Sequence, residues 1–162
     1  MRTAALIFNI VFLTAGCVTV KLGGAETQRA SGVRMVEPGR PFEKQSRNDV
    51  DAAFKNPRNG NVISYLSDCR DPSDPPLDNI VAGVLAGLTD LKTEHREETE
   101  MLGREARRVQ ASGKVDGVPS AIELLVFKRN QCIYILSYVG VKSVFSENRA
   151  DFSKFIEGFK VP

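Results

Sequence analysis

Two apolar stretches separated by four polar residues constrain this chain more than any other feature. Residues 121–127 (Ala-Ile-Glu-Leu-Leu-Val-Phe) and 132–139 (Cys-Ile-Tyr-Ile-Leu-Ser-Tyr-Val) are rich in the branched and aromatic side chains that suit strands. Lys128-Arg129-Asn130-Gln131 between them is long enough for a turn and far too short for a crossover, so the second strand returns antiparallel to the first. The first is apolar on both faces apart from Glu123, which marks it as a central strand.

The remaining elements are read around that pair. Residues 33–36 form a short strand that stops at Glu37-Pro38-Gly39-Arg40-Pro41. Phe42 and Phe54 are core anchors, and residues 50–54 suit either a strand or a short helix. Asn59-Gly60 is a hairpin signal. It leads into residues 62–67, where Ile63, Tyr65 and Ser67 share one face. Asp74 is placed to cap a helix with Pro75 at its first position. Leu77, Ile80, Val81, Val84, Leu85, Leu88 and Leu91 continue it as one apolar stripe. Gly83 and Gly87 in that stripe suggest close approach to a sheet. Residues 92–101 are heavily charged and read as an exposed strand. Residues 105–112 return from it, with Arg104, Arg107 and Arg108 either forming a small anion-binding patch or, more economically, pairing with its glutamates. A turn is expected over residues 113–117. Phe152, Phe155, Ile156 and Phe159 mark a C-terminal helix capped by Asn148 or Ser146. This order implies an α+β domain: an antiparallel, meander-like sheet of about five to seven strands with helices packed on it.

Charge and composition narrow the chemistry. The formal net charge of +2 over 162 residues gives no concentrated positive face of the kind a nucleic-acid binder needs. The single histidine, His95, lies in the most charged run, where an exposed strand position suits it better than a catalytic triad. Asp68, Asp71, Asp74 and Asp78 lack the spacing and the turn glycine of a calcium loop and suit capping and solvated roles. Glu123 is the one acid in an apolar strand. It either pairs with an arginine or faces solvent, or it serves as one of two carboxylates in a hydrolase. Phosphate loops and paired metal-ligand motifs are missing, so no cofactor, metal or catalytic set is assigned.

The amino end carries a different signal. Arg2 precedes a short greasy run, residues 4–13, broken only by Asn9 and well below the roughly 20 apolar residues of a spanning helix. It ends in Leu13-Thr14-Ala15-Gly16-Cys17, which resembles a bacterial lipoprotein signal peptide with its lipobox. Thr14 stands where Leu is usual, three positions before the cysteine. The resemblance implies removal of residues 1–16, lipid on Cys17, a tether over residues 17–32 and one domain over residues 33–162. It also implies attachment to a membrane through the N-terminal lipid, an extracytoplasmic location and an envelope protein as partner. Val18 rather than Asp after the cysteine leans toward the periplasmic face of an outer membrane in a Gram-negative cell. With Cys17 spent on lipid, Cys69 and Cys132 remain as an even pair, either bridged or buried as free thiols. The order of elements over roughly residues 33–160 resembles the PsbP-like α/β/α sandwich, whose members act mostly as binding or assembly subunits. Together these readings imply a lipid-anchored envelope binding module, with an extracytoplasmic hydrolase using carboxylates as the alternative.

Overall fold

The computed structural model describes residues 28–69 and 73–162. The expected signal peptide, Cys17, residues 17–27 of the expected tether, and Asp71 lie outside the described residues. Among the described residues, seven strands form one antiparallel sheet: β1 (Glu43–Gln45), β2 (Ala52–Lys55), β3 (Val62–Asp68), β4 (Thr89–Met101), β5 (Arg104–Val115), β6 (Val118–Arg129) and β7 (Cys132–Val141). Their spatial order is β1-β2-β3-β7-β6-β5-β4, so β6 and β7, which contain the apolar stretches 121–127 and 132–139, lie inside the sheet. Helix α1 (Leu77–Leu85) joins β3 to β4. A 3-10 segment (Lys142–Asn148) and helix α2 (Arg149–Gly158) follow β7. This is the α+β sandwich the element order implied.

Strands β4 to β7 form a meander because each link is a two-residue turn. Leu102-Gly103, Asp116-Gly117 and Asn130-Gln131 all have positive φ, as the tightest hairpin turns require. The turn expected over 113–117 is therefore only Asp116-Gly117, and Gly113 is a β5 residue. A side chain at Gly113 would come within 2.7 Å of the Thr89 carbonyl, so the chain leaving α1 can cross β5 only over a glycine. Gly83 and Gly87, expected to serve such an approach, have nothing near them and face solvent.

Each face of the sheet carries its own core. Ile80, Val81 and Leu85 of α1 pack on Val109, Ala111, Ile122, Leu124, Val126, Ile133 and Ile135, an aliphatic layer. The opposite face is aromatic. Phe152, Phe155 and Phe159, at the helical spacing read from the sequence, pack with Phe54, Tyr65, Phe127, Tyr134 and Tyr138. Burying each phenylalanine contributes roughly 1.5–3 kcal/mol. Tyr138 stacks on both Phe145 and Phe152 and donates its hydroxyl to the Phe145 carbonyl at 2.6 Å.

Several local expectations change in the fold. Helix α1 stops at Leu85, because Thr89 onward pairs with β5 and sheet hydrogen bonding overrides the continuing apolar period. Leu88 is half-buried and Leu91 is exposed. Asp74 does not cap α1. Pro76 is the N-cap residue, without a side-chain cap, and Asp74 pairs instead with Lys128. Asn148 occupies the N-cap position of α2 but does not cap it. Its side-chain oxygen accepts from Asn56, Asn59 and Asn61, tying the β2–β3 turn to the start of α2. Residues 33–36 make only a bridge, Arg34 to Lys160. Residues 28–32, within the expected tether, dock on the domain: the Cys69 N–H donates to the Gln28 carbonyl and the Ala30 N–H to the Ser67 hydroxyl.

Cys69 and Cys132 form a disulfide with 3.9 Å between their Cα atoms. Strands β3 and β7 pair up to Asp68 opposite Ile133, so the two cysteines are the next pair along. The bridge seals the end of the ladder that holds the β1–β3 half of the sheet to the meander.

Candidate functional site

The two layers over the sheet are shorter than the sheet is wide. On the aromatic face, among the described residues, the cover reaches Met101 at the end of β4 but leaves the earlier part of that strand exposed. One rung of the sheet shows the transition: His95 on β4, Gln110 on β5, Glu123 on β6 and Tyr138 on β7 lie in register. Tyr138 is in the core and His95 is exposed. Glu123 sits where the helical cover ends, 2% exposed. A cleft of about 250 Å³ opens there, lined by His95, Glu97, Arg108, Gln110, Glu123 and Arg149.

Strand alternation and helix placement bring three charges together at its base. Arg108 precedes the buried Val109 and projects on the aromatic face, where its Nε and one terminal nitrogen donate to Glu123 Oε1 at 2.9 and 2.6 Å. Arg149, the first residue of α2, donates from Nε to Glu123 Oε2 at 3.0 Å. Both carboxylate oxygens are therefore occupied by guanidinium groups. A cation in the first turn of a helix opposes the helix dipole, and the buried carboxylate compensates for it. That misplaced charge is the sequence signal that could have identified Arg149, which the sequence reading missed.

This arrangement bears on the hydrolase alternative. A carboxylate acting as nucleophile or proton donor needs a free oxygen facing its substrate and a second acid beside it. Glu123 has both oxygens engaged. Glu97, the other acid lining the cleft, contacts His95 Nε2 at 3.3 Å and is itself partly exposed. His95 is exposed beside Glu97, without a nucleophile in contact. Ser112 does meet a lysine, Lys142, at 3.0 Å. That serine is buried and donates to Glu94, whose carboxylate also binds Lys142. The Ser112 hydrogen bond, with help from the Lys142 charge, holds the Glu94 carboxyl below its ordinary range.

The other candidates separate in space. Arg107 points to the α1 face and pairs with Asp78, Glu98 and Glu105, while Arg108 points to the opposite face, so the basic run divides between two surfaces. Arg107–Glu98 is the cross-hairpin pair expected from sequence. Asp78 bonds Arg96 and Arg107, and the Arg96 hydrogen bond pulls its carboxyl below the usual range. Asp68 is buried at the end of β3. Among the described residues no group of three or more histidine, cysteine or acidic side chains is placed to hold a metal ion. None of the described helices is long and apolar enough to cross a membrane. Two larger hollows of about 500 Å³ lie at the β1–β2 end and beside the start of α1; the second is lined by the largely buried Arg107, whose charge is met by Asp78, Glu98 and Glu105.

No family model matches this chain, and no curated protein matches it in sequence. Its fold does recur among solved structures. LpqN from Mycobacterium tuberculosis, described as involved in cell envelope biogenesis, aligns with a TM-score of 0.58 at 9% identity over 86% of this chain and 87% of that one. Cyanobacterial PsbP (CyanoP) from Synechocystis sp. PCC 6803 aligns with a TM-score of 0.55 at 13% identity over 91% and 98%. Protein PA94 from Pseudomonas aeruginosa, of unknown function, aligns with a TM-score of 0.53 at 15% identity over 87% and 88%. At these identities the likeness is one of fold, and it includes a PsbP-like protein.

Proposed function

We propose that this protein is a lipid-anchored envelope protein that works as a binding or assembly module on the extracytoplasmic side of a membrane. The proposed anchor is Cys17, which ends the lipobox-like run and stands eleven residues before Gln28, the first described residue of the domain. The observation that carries the reading is the Cys69–Cys132 disulfide, because such bridges persist in oxidising compartments and are rare in a reducing cytosol. The fold it shares with LpqN, a protein described as involved in envelope biogenesis, is consistent with this setting. A binding role is favoured over hydrolysis because both oxygens of the one buried acid in the cleft are taken by arginines. Val18 after the cysteine favours the outer membrane where the cell has one.

Membrane fractionation of cells expressing the full chain tests this reading, with mass analysis of the N-terminal peptide. The expected product begins at Cys17, carries acyl chains and sediments with membranes, whereas Cys17→Ser shifts it to the soluble fraction. Affinity capture of the anchored protein, with Cys17→Ser as control, is expected to retain an envelope protein. A product that starts at Met1 and stays soluble in the cytosol overturns the proposal.

A further inference from the structure

We propose that Arg149 and Arg108, held in place by buried Glu123, form a receptor for an oxyanion, the carboxylate or phosphate group of a ligand entering the cleft between β4–β5 and α2. This deepens the binding-module reading and rests on it.

Burying a carboxylate between two guanidiniums is seldom the most stabilising choice, because desolvation offsets much of the attraction and apolar residues of similar volume do as well or better. At this position the neighbouring residues of β6 are apolar and closely packed, so an aliphatic side chain would be the ordinary occupant. What Glu123 adds is orientation: it fixes two arginines, from different elements, on one point.

Those arginines are not used up. A guanidinium carries five N–H donors. Arg149 spends only Nε on Glu123, leaving both terminal nitrogens without a protein partner among the described residues. Arg108 spends Nε and one terminal nitrogen and keeps the other. Both side chains are partly exposed and both line the cleft. Acceptors on its walls are fewer: the Glu97 carboxylate, which contacts His95, and the side-chain oxygen of Gln110, whose amide nitrogen donates to Glu94. The unspent guanidinium donors outnumber these acceptors, and the Arg108–Glu123–Arg149 group carries net positive charge, set against one negative charge at Glu97 on the β4 wall. A second oxyanion opposite Glu123 would complete an alternating ring of charge with bidentate geometry, which planar guanidiniums favour. About 250 Å³ accommodates such a group with a small attached body.

The test is calorimetric or NMR titration of the purified full chain with sodium acetate and, separately, inorganic phosphate, at ionic strength held constant with chloride. Saturable binding with a Kd of roughly 1–10 mM is expected for at least one of the two. The tighter one distinguishes a carboxylate from a phosphate source. Arg149→Gln should weaken binding by about 10-fold or more, as loss of charge-assisted hydrogen bonds predicts. Arg108→Gln repeats the test from the strand side should the first variant fail to fold. Lys154→Gln, an exposed cation elsewhere on α2, should leave affinity unchanged. Absence of saturation below about 100 mM overturns the assignment. So does equal affinity in the arginine variants, or an equal loss in Lys154→Gln. Any of these would leave the anchored binding reading standing, since membrane fractionation and capture test it independently.

Discussion

Replacing both Cys69 and Cys132 with alanine tests how the two halves of the sheet are held together. The bridge spans 63 residues of sequence. In the chain-entropy relation, a loop of that length lowers the entropy of the unfolded chain by about 14 cal/mol/K, or about 4 kcal/mol at 25 °C. The native contribution is small, because β3 and β7 are already paired through seven register positions and the cysteines only extend that ladder. With an unfolding entropy of about 2.1 cal/mol/K per residue over the domain, the loss corresponds to a fall in Tm of roughly 15 °C. Urea unfolding of wild type and the double variant measures it, with wild type repeated in reductant. A second signature should accompany the shift: the denaturant slope should rise, since an unbridged chain unfolds to a more expanded state. A difference below about 1 kcal/mol with an unchanged slope would refute this reasoning. It would mean that the unfolded chain keeps these segments together without the bond.

Other substitutions probe other contacts. A Cβ at Gly140 would lie 1.9 Å from Asn61 Oδ1, and Asn61 is fully buried with its amide nitrogen bonded to Tyr138, Val144 and Asn148. Gly140→Ala is therefore expected to cost about 2–4 kcal/mol in a denaturant melt. Arg108→Met combined with Arg149→Met leaves Glu123 buried without a counter-charge and should cost about 3–5 kcal/mol; a neutral result would show that Glu123 reaches water. Burial pushes the Asp51 carboxyl above its ordinary 3.8, against the hydrogen bonds from Ser67 and the charge of Arg29. The folded chain then holds this proton to higher pH than the unfolded chain, so its contribution to stability falls as pH rises from about 4 through the raised value. The stability of wild type relative to Asp51→Asn should decline over that window, and a rise would contradict the assignment.

Much of the architecture can be read from residue order because local physics already specifies it. Alternation in 62–67, the two apolar stretches at 121–127 and 132–139, and the phenylalanine spacing in 152–159 each have one economical solution: strand, adjacent strands, and helix. Where reading failed, two local signals competed. The leucine period running on to Leu91 is a valid helical pattern, but hydrogen bonding to β5 claims Thr89 onward. Gly83 and Gly87 read as contact glycines in sequence, whereas Gly113, Gly140 and Gly158 are crowded by other parts of the chain. Close approach depends on what lies opposite, and no local pattern carries that.

The cleft divides in the same way. Glu123 stands out from sequence as an acid in an apolar strand, and sequence alone leaves open whether it meets an arginine, solvent or a second carboxylate. From sequence Arg108 stands with Arg104 and Arg107 as a partner for acids across the hairpin or as part of a small anion-binding patch. It turned to Glu123 because strand alternation directs it to the aromatic face, where the layer above stops short. Arg149 entered from a helix 26 residues away in sequence from Glu123. Periodicity and turn chemistry act over a few residues, so residue order alone could supply the strands, the helices and the charge that seemed out of place. Which distant side chains neutralise that charge depends on strand register and helix docking, and only the assembled fold decides them.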